Sequence, residues 1–210
     1  MWLLCGASHM GKTYLSREVL AYEFGLVHRL VDRVYQRALI EADMATPTPT
    51  GAVENRRARK LARERRWPDD GARAVFFASY RKQVRKLLRD GREQASPVVL
   101  EGGTLRLREE ASLALSCLVG LHGQASRAIR VTVVLTYEEW LRNRVNRASS
   151  AGVETIEVAR ITPEVYENKI REAEPEPLEG IEDHRIGSAD ELRKLAEAIR
   201  SQTVSADATA

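Results

Sequence analysis

The stretch that decides the fold is Gly6-Ala7-Ser8-His9-Met10-Gly11-Lys12-Thr13, close to the start of the chain. It satisfies the phosphate-binding pattern GxxxxGK[ST] at every defined position. An apolar segment, Trp2 to Cys5, comes before it, and a segment of helical periodicity, Lys12 to about Phe24, follows it. A strand, a glycine-containing loop and a helix in this order predict a site for a diphosphate or a triphosphate.

The chemistry of this loop depends on four of its residues. Gly6 and Gly11 allow the backbone to turn so that successive N–H groups face phosphate oxygens, and the helix N-terminus adds its dipole. Lys12 supplies a positive charge, and the hydroxyl of Thr13 is a ligand for Mg²⁺. The loop alone does not distinguish a kinase, which breaks a P–O bond, from an enzyme that holds a diphosphate as a leaving group.

Predicted strands and helices alternate along most of the chain. The strands are expected at Trp2 to Cys5, Leu26 to Val31, Pro97 to Leu100 and Ile129 to Thr136, and a weaker pattern indicates a fifth at Val153 to Val158. This alternation predicts an α/β, P-loop NTPase-like three-layer fold with a mostly parallel sheet and a shortened C-terminal helical part.

The same patterns divide the chain into three parts. Residues 1–150 are predicted to form a P-loop α/β core, which includes a proline-rich loop and a basic helix at 45–67. Residues 151–202 are predicted to form a short helical segment that packs on the core, with a strong closing helix from Ser188 to Ser201. Residues 203–210 are expected to be a disordered tail.

Composition limits the class of protein. The 210 residues are 43% hydrophobic and carry a net charge of +3, which permits a buried core and excludes a wholly disordered or fibrous chain. No apolar run approaches the ~18 residues that a membrane span requires. Cys5 and Cys117 lie in apolar surroundings without CxxC spacing, so neither a disulfide framework nor a zinc site is expected. We therefore expect a cytoplasmic protein without a membrane partner.

Two carboxylates follow predicted strands. Because ligands of doubly wound sheets bind at the carboxyl ends of the strands, Asp32 is placed across the crevice from the P-loop, facing an acceptor; its alternative role is to cap the next helix. Glu101 either binds Mg²⁺ through water, orients a substrate or belongs to a plain turn. Gly102 and Gly103 permit a close approach of the backbone to a ligand.

Arginines recur on one face of the helix after the fourth strand. Arg144 and Arg147 are three residues apart, so they share a helix face. Two guanidinium groups there would clamp a diphosphate, although a solvated basic helix is an equally good explanation.

Four segments, in order, resemble the isopentenyltransferase family of adenylate and tRNA dimethylallyltransferases. They are GASHMGKT (6–13), VDRVYQ (31–36), PVVLEGGTL (97–105) and LRNRVNR (141–147). The resemblance implies transfer of a dimethylallyl group from dimethylallyl diphosphate to an adenine amine, with release of pyrophosphate. The extra domain with which the tRNA enzymes grip the anticodon arm has no room here, so the resemblance favours AMP, ADP or ATP, or another small amine, as acceptor.

The resemblance also implies roles for individual residues. Asp32 matches the general base, and Ser8 matches a P-loop hydroxyl that supports it. Gly6, Gly11, Lys12, Thr13 with Mg²⁺, Arg144 and Arg147 would bind the diphosphate. The acceptor would contact Arg33, Thr48, Glu101, Gly102 and Gly103.

Two further interpretations remain open. In a small-molecule kinase, Asp32 would activate an acceptor hydroxyl and the arginine helix would act as a lid. Alternatively, the basic stretch from Arg56 to Arg66, with seven basic residues and one acidic residue, would bind nucleic acid. Such a run is more often a solvated face, which makes nucleic acid an improbable partner, or it lies over the cleft and attracts anionic substrates.

Overall fold

The computed structural model describes residues 1–46, 52–92, 97–123, 127–150 and 161–207. Its strands are β1 (Trp2–Cys5), β2 (Val27–Leu30), β3 (Val98–Glu101), β4 (Ala128–Val133) and β5 (Ile181–Ile186). The first helix, α1, has α geometry at Lys12–Tyr14 and π geometry at Leu15–Glu23. The other helices are α2 (Val31–Glu41), α3 (Ala52–Arg63), α4 (Asp70–Arg92), α5 (Arg108–His122), α6 (Tyr137–Ser150), α7 (Pro163–Ala173) and α8 (Ala189–Asp207).

All five strands form one parallel sheet in the order β2-β3-β1-β4-β5. On the central strand β1, Leu3 pairs with Leu100 of β3 on one side and with Arg130 of β4 on the other. Parallel strands direct their carboxyl ends to the same edge, so the loops after β1, β2 and β3 meet there. The α/β, P-loop NTPase-like fold predicted from the sequence is confirmed.

Helices cover both faces of the sheet. Leu3 and Cys5 pack on one side with buried residues of α2, α4 and α5. Trp2 and Leu4, which point the opposite way along the same strand, pack with buried residues of α1, α6 and α8. This alternation produces three layers, because successive residues of a strand face opposite sides. Within the described ranges, no helix has the length and apolar character needed to cross a membrane.

The C-terminal part differs from the prediction. The strand expected at Val153 to Val158 lies outside the described residues, whereas β5 lies in the segment predicted to be helical. Four of the six residues of its sequence, IEDHRI, are polar because an edge strand is incompletely covered, so it lacks the apolar pattern by which buried strands are recognised. Helix α8 continues to Asp207, into the predicted tail, and residues 208–210 are outside the described part.

A buried arginine joins β4 to β5. The side chain of Arg130 has no exposed surface, and its Nε and Nη2 donate to the two carboxylate oxygens of Asp183 at 2.6 and 2.8 Å. Nη2 also donates to the backbone carbonyl of Glu176 at 2.7 Å. A guanidinium removed from water requires such a partner, because its desolvation is otherwise uncompensated.

Replacing Asp183 by alanine is therefore expected to lower the free energy of unfolding by about 3 kcal/mol, since it leaves the charge of Arg130 buried without its carboxylate. Chemical denaturation measures this value. The matched control is Glu182→Ala on the same strand, which removes a partly exposed pair with Arg127 and should cost less than about 1 kcal/mol. Equal losses in the two variants would contradict the role assigned to the buried pair.

Candidate functional site

The P-loop leaves β1 in a conformation that requires glycine. Gly6 has a φ of 130°, and a Cβ atom there would lie 2.6 Å from the carbonyl oxygen of Val133. Gly11, at the start of the following helix, has a φ of 71°. Lys12 Nζ donates to the carbonyl of Ala7 at 2.7 Å, so the ammonium group lies against the loop that it is predicted to serve.

Helix α6 donates two side-chain hydrogen bonds to the backbone of the P-loop. The indole N–H of Trp140, a residue only 1% exposed, donates to the Ser8 carbonyl at 3.0 Å. Asn143 donates from Nδ2 to the His9 carbonyl at 3.1 Å. Both bonds fix backbone carbonyls on the outer side of the loop, while the Ser8 residue itself stays exposed.

Glu101, at the end of β3, connects the sheet to the P-loop helix. Its Oε1 accepts a hydrogen bond from the Thr13 hydroxyl at 2.6 Å, and its Oε2 bonds to the Ser16 hydroxyl at 2.9 Å and to His28 Nε2 at 2.7 Å. Burial opposes the ionisation of this carboxyl, but the bonds from His28, Thr13 and Ser16 outweigh burial and lower its pKa. Glu101 is therefore a charged group beneath the phosphate site.

The observed contacts of Glu101 are with the P-loop helix and β2, and it does not line the cavity described below. Its contact with the acceptor stays a prediction. The hydroxyl of Thr13 and the carboxylate of Glu101 are oxygen donors of the kind that Mg²⁺ prefers, so these residues fit that ion. No cluster of three or more His, Cys, Asp or Glu side chains that could hold a metal occurs among the described residues. That finding is compatible with Mg²⁺, which is usually bound by one or two protein ligands together with substrate phosphates.

Asp32 lies in the first turn of α2, where the chain leaves β2. The residue at the N-cap is Leu30, so Asp32 does not cap this helix. A Cβ atom on Gly102 would lie 3.2 Å from Asp32 Oδ1, which means that the glycine leaves room for the carboxylate. Asp32 is exposed and faces the same cavity as the P-loop.

Both arginines of α6 lie near the loop, in different positions. The Arg144 guanidinium stacks over the ring of Trp140 at 4.9 Å and lines the cavity, and its Nε is buried without a hydrogen-bond partner. Arg147 is exposed and does not line the cavity, although its charge contributes to lowering the pKa of Lys12, for which burial is the larger cause.

The remaining predicted acceptor residues are separated in the structure. Gly103 lines the cavity, whereas Arg33 is exposed and is not among the lining residues. Gly102 serves the site indirectly, through the space that it leaves beside Asp32. Thr48 lies outside the described residues.

The cavity that joins these groups has a volume of about 410 Å³. Its walls carry five cationic side chains and two carboxylates. The lining comprises residues 6–9, Asp32 and Tyr35, Arg59 and Arg63 of α3, Gly103, Thr104 and Arg106 after β3, Trp140 and Arg144 of α6, and Lys169, Glu172 and Ala173 of α7.

Several of these residues had not been assigned to the site. Arg59 and Arg63 belong to the basic stretch that was expected either to bind nucleic acid, to be solvated or to cover the cleft, and the structure places them at the cleft. Arg106 follows the double glycine after β3, but an isolated arginine there carries no distinctive pattern. Tyr35 and Trp140 match ordinary core positions in sequence, so nothing marked them as cavity residues.

A larger open hollow of about 1230 Å³ lies between α2 and α4. It contains none of the P-loop residues and neither Asp32 nor Glu101. Because the P-loop and Asp32 lie elsewhere, we place the candidate site at the smaller cavity.

No family model matches this sequence, and no curated protein is similar to it. Among solved structures, a provisionally assigned kinase from Chloroflexus aurantiacus J-10-fl is 14% identical, with a TM-score of 0.50 and coverage of 97% of this chain and 95% of that chain. A sugar kinase from Janibacter sp. HTCC2649 is 12% identical, with a TM-score of 0.47 and coverage of 93% and 90%. A gluconokinase from Sinorhizobium meliloti 1021 is 13% identical, with a TM-score of 0.46 and coverage of 96% and 95%. At 14% identity the first likeness shows a shared fold and no more.

His9 provides a test of the electrostatics of the loop. Burial, together with the charges of Arg144, Arg147 and Lys12, lowers its pKa from 6.5 to about 4. We expect an NMR titration of the imidazole to show a neutral His9 at pH 7, with His9→Asn identifying the signal, since asparagine tolerates the φ of 68° found here. Added inorganic phosphate should raise this pKa, because an anion offsets the neighbouring positive charges.

The lowered pKa of His9 also makes the free energy of unfolding depend on pH. Between pH 6.5 and about 4, the unfolded chain binds more protons at His9 than the folded chain does. The contribution of His9 therefore makes the free energy of unfolding fall as the pH is lowered through this window. His9→Asn should show a weaker fall than the unchanged protein, and a midpoint for His9 above pH 6 would contradict both expectations.

Proposed function

We propose that this protein is a small-molecule kinase, which transfers a phosphoryl group from a nucleoside triphosphate to a hydroxyl acceptor. The observation that carries the proposal is that residues 6–9 of the P-loop and the exposed carboxylate of Asp32 line one cavity whose charged residues are mostly cationic. Phosphoryl transfer requires a phosphate site, a group that accepts the proton of the acceptor hydroxyl, and positive charge around the transferred group.

In this reaction the P-loop would bind the phosphates of the nucleoside triphosphate. Its backbone N–H groups and the ammonium of Lys12 would hold the terminal phosphates, and Arg144 would contact them from α6. Thr13 and Glu101 would hold Mg²⁺, which neutralises negative charge on the phosphates when it is bound. The negative charge that grows on the leaving diphosphate is then stabilised by groups already in place.

Asp32 would act as the general base toward the acceptor. Its carboxylate would accept the proton of the acceptor hydroxyl while that oxygen forms a new P–O bond with the terminal phosphorus. The P–O bond to the nucleoside diphosphate breaks in the same exchange, and the diphosphate leaves with the P–O bonding electrons. Proton, phosphoryl group and leaving group are thus all assigned.

The walls of the cavity favour phosphoryl transfer over the prenyl transfer that the sequence resemblance implies. A dimethylallyl group needs an apolar pocket that excludes water, because burial of apolar surface is what binds it. The apolar part of the lining consists of Ala7, Tyr35, Trp140 and Ala173, among five cations and two carboxylates. The similar solved structures include a sugar kinase and a gluconokinase. Prenyl transfer remains a prediction from the resemblance alone.

One experiment separates the two chemistries. The protein is incubated with Mg²⁺, ATP labelled at the γ-phosphate and a panel of hydroxyl compounds, and in parallel with Mg²⁺, dimethylallyl diphosphate and AMP. Label found on an acceptor supports the kinase, whereas an N6-prenylated nucleotide without phosphoryl transfer would overturn it. Reactions without acceptor measure the hydrolysis of ATP that must be subtracted.

A further inference from the structure

The cavity contains three arginines that the proposed transfer step does not use. Arg59 and Arg63 lie one helical turn apart on α3, so they present their side chains on the same face. Arg106 is the last residue of the 3-10 helix Gly103–Arg106, which follows β3, so it comes from a different part of the chain. All three line the cavity together with Asp32.

Within the described part of the chain, the guanidinium groups of Arg63 and Arg106 make no hydrogen bond and no direct ion pair with an acidic side chain. The pKa of Arg106 is lowered first by burial and then by the charge of Arg63, and the charges of Glu176, Cys5 and Glu172 offset this only in part. Two like charges that lower the pKa of one of them at the same cavity are unfavourable, and a bound anion would relieve the repulsion.

Arg59 is oriented toward the same region. Its Nε donates to Gln36 Oε1 at 2.6 Å, which fixes the guanidinium and leaves its terminal nitrogens available. Gln36 lies one turn beyond Asp32 on α2, so this bond ties the arginine to the helix that carries the proposed base. The hydroxyl of Tyr35 is buried there without a hydrogen-bond partner.

Other basic residues near α3 do not share these properties. Arg65 donates to both oxygens of the buried Glu110, at 3.1 and 2.8 Å, and also pairs with Glu109. Lys60 pairs with Glu64 on the exposed side of the helix. Of these basic residues, Arg59 and Arg63 line the cavity without an ion pair among the described residues, whereas Lys60 and Arg65 are paired and do not line it.

From this geometry we infer that the acceptor is itself an anion, which carries a carboxylate or a phosphate group in addition to the hydroxyl that faces Asp32. Arg59, Arg63 and Arg106 bind the anionic group, and guanidinium groups suit both chemistries because they donate paired N–H groups to planar or tetrahedral oxygens. The inference rests on the proposed kinase function and adds the class of its substrate.

The test uses the full chain with its P-loop filled by a non-hydrolysable ATP analogue and Mg²⁺, so that the loop does not compete for anions. Calorimetric titration then compares glycerate, glycerol phosphate and glycerol, which share a three-carbon skeleton and carry at one end a carboxylate, a phosphate ester or a hydroxyl. We expect both anions to bind and the neutral triol not to, and the stronger of the two anions identifies the group as carboxylate or phosphate.

Variants connect the binding to the arginines. Arg63→Gln should weaken binding of the preferred anion by about 10- to 100-fold, which corresponds to the loss of a charge-assisted hydrogen bond, and Arg63→Lys should recover part of it. Arg57→Gln is the matched control, because Arg57 is exposed on the same helix and does not line the cavity. For any anion that the protein phosphorylates, the KM for that anion should be higher in Arg63→Gln than in the unchanged protein. The KM for ATP should stay near its original value.

The outcomes separate the two proposals. Equal binding of glycerol and the two anions, or equal binding by Arg63→Gln and Arg57→Gln, would overturn the anionic acceptor even if ATP is consumed. Anion binding that depends on Arg63, in a protein that transfers no phosphoryl group to any bound anion, would support the anion site and refute the kinase.

Discussion

Replacement of Asp32 by asparagine is expected to lower kcat for phosphoryl transfer by about 1,000-fold, within the range by which general bases accelerate reactions. The side chain keeps its size but loses the ability to accept the proton of the acceptor hydroxyl. Asp32 is exposed and does not cap α2, so the variant should fold with unchanged stability. KM for ATP should also change little, because Asp32 lies on the acceptor side of the cavity.

The control for this variant is Asp190→Asn, which removes an exposed carboxylate that pairs with Arg193 on α8. Steady-state kinetics and thermal unfolding of both variants provide the comparison. Turnover by Asp32→Asn near that of the unchanged protein would show that another group, or water, takes the proton.

Replacement of Lys12 by methionine is expected to reduce kcat by about 100- to 1,000-fold, which is the usual cost of removing one group that stabilises charge in the transition state. Binding of the nucleotide should weaken as well, since the ammonium lies against the loop in the absence of substrate. Burial lowers the pKa of Lys12, opposed by the charges of Asp32 and Glu101, so the folded chain holds this cation at a cost. Methionine of similar length should therefore fold at least as stably.

This combination of lost activity and retained stability distinguishes a binding role from a structural one. Lys194→Met, an exposed position on α8, is the matched control. A large loss of stability in Lys12→Met, with activity lost only in proportion to the unfolded fraction, would contradict the assigned role.

The strongest local patterns in the sequence predicted the architecture correctly. The octapeptide from Gly6 to Thr13, between an apolar strand and a helix, identified the P-loop, and β1, β3 and β4 were recognised because buried strands of a parallel sheet are rich in apolar residues. The edge strand β5 was missed for the opposite reason. Its exposed side carries Asp183 and other polar residues, so no apolar run marks it.

Function was harder to predict because short motifs are shared by enzymes of different chemistry. A loop that binds a diphosphate serves phosphoryl transfer and prenyl transfer equally, and a carboxylate such as Asp32 can accept a proton from a hydroxyl or from an amine. The acceptor is selected by the opposite walls, whose residues come from α3, α7 and the turn after β3. Those walls are cationic, which the order of the motifs along the chain does not reveal.

Glu101 shows the same limit at a single residue. The sequence placed it correctly at the end of a strand, but its partners are Thr13 and His28, on the P-loop helix and the neighbouring strand. Which side chain a carboxylate meets depends on the order β2-β3-β1, and hence on sheet pairing between residues far apart in the chain.

By itself, then, the sequence determined that this chain has a phosphate-binding loop in an α/β fold with Asp32 at a strand end, because those features depend on neighbouring residues. The tertiary structure alone decided that Arg59, Arg63 and Arg106 share a cavity with that aspartate. A charge acts through space over a few ångströms, and folding brings Arg106 beside Arg59 and Arg63, to which no local pattern connects it.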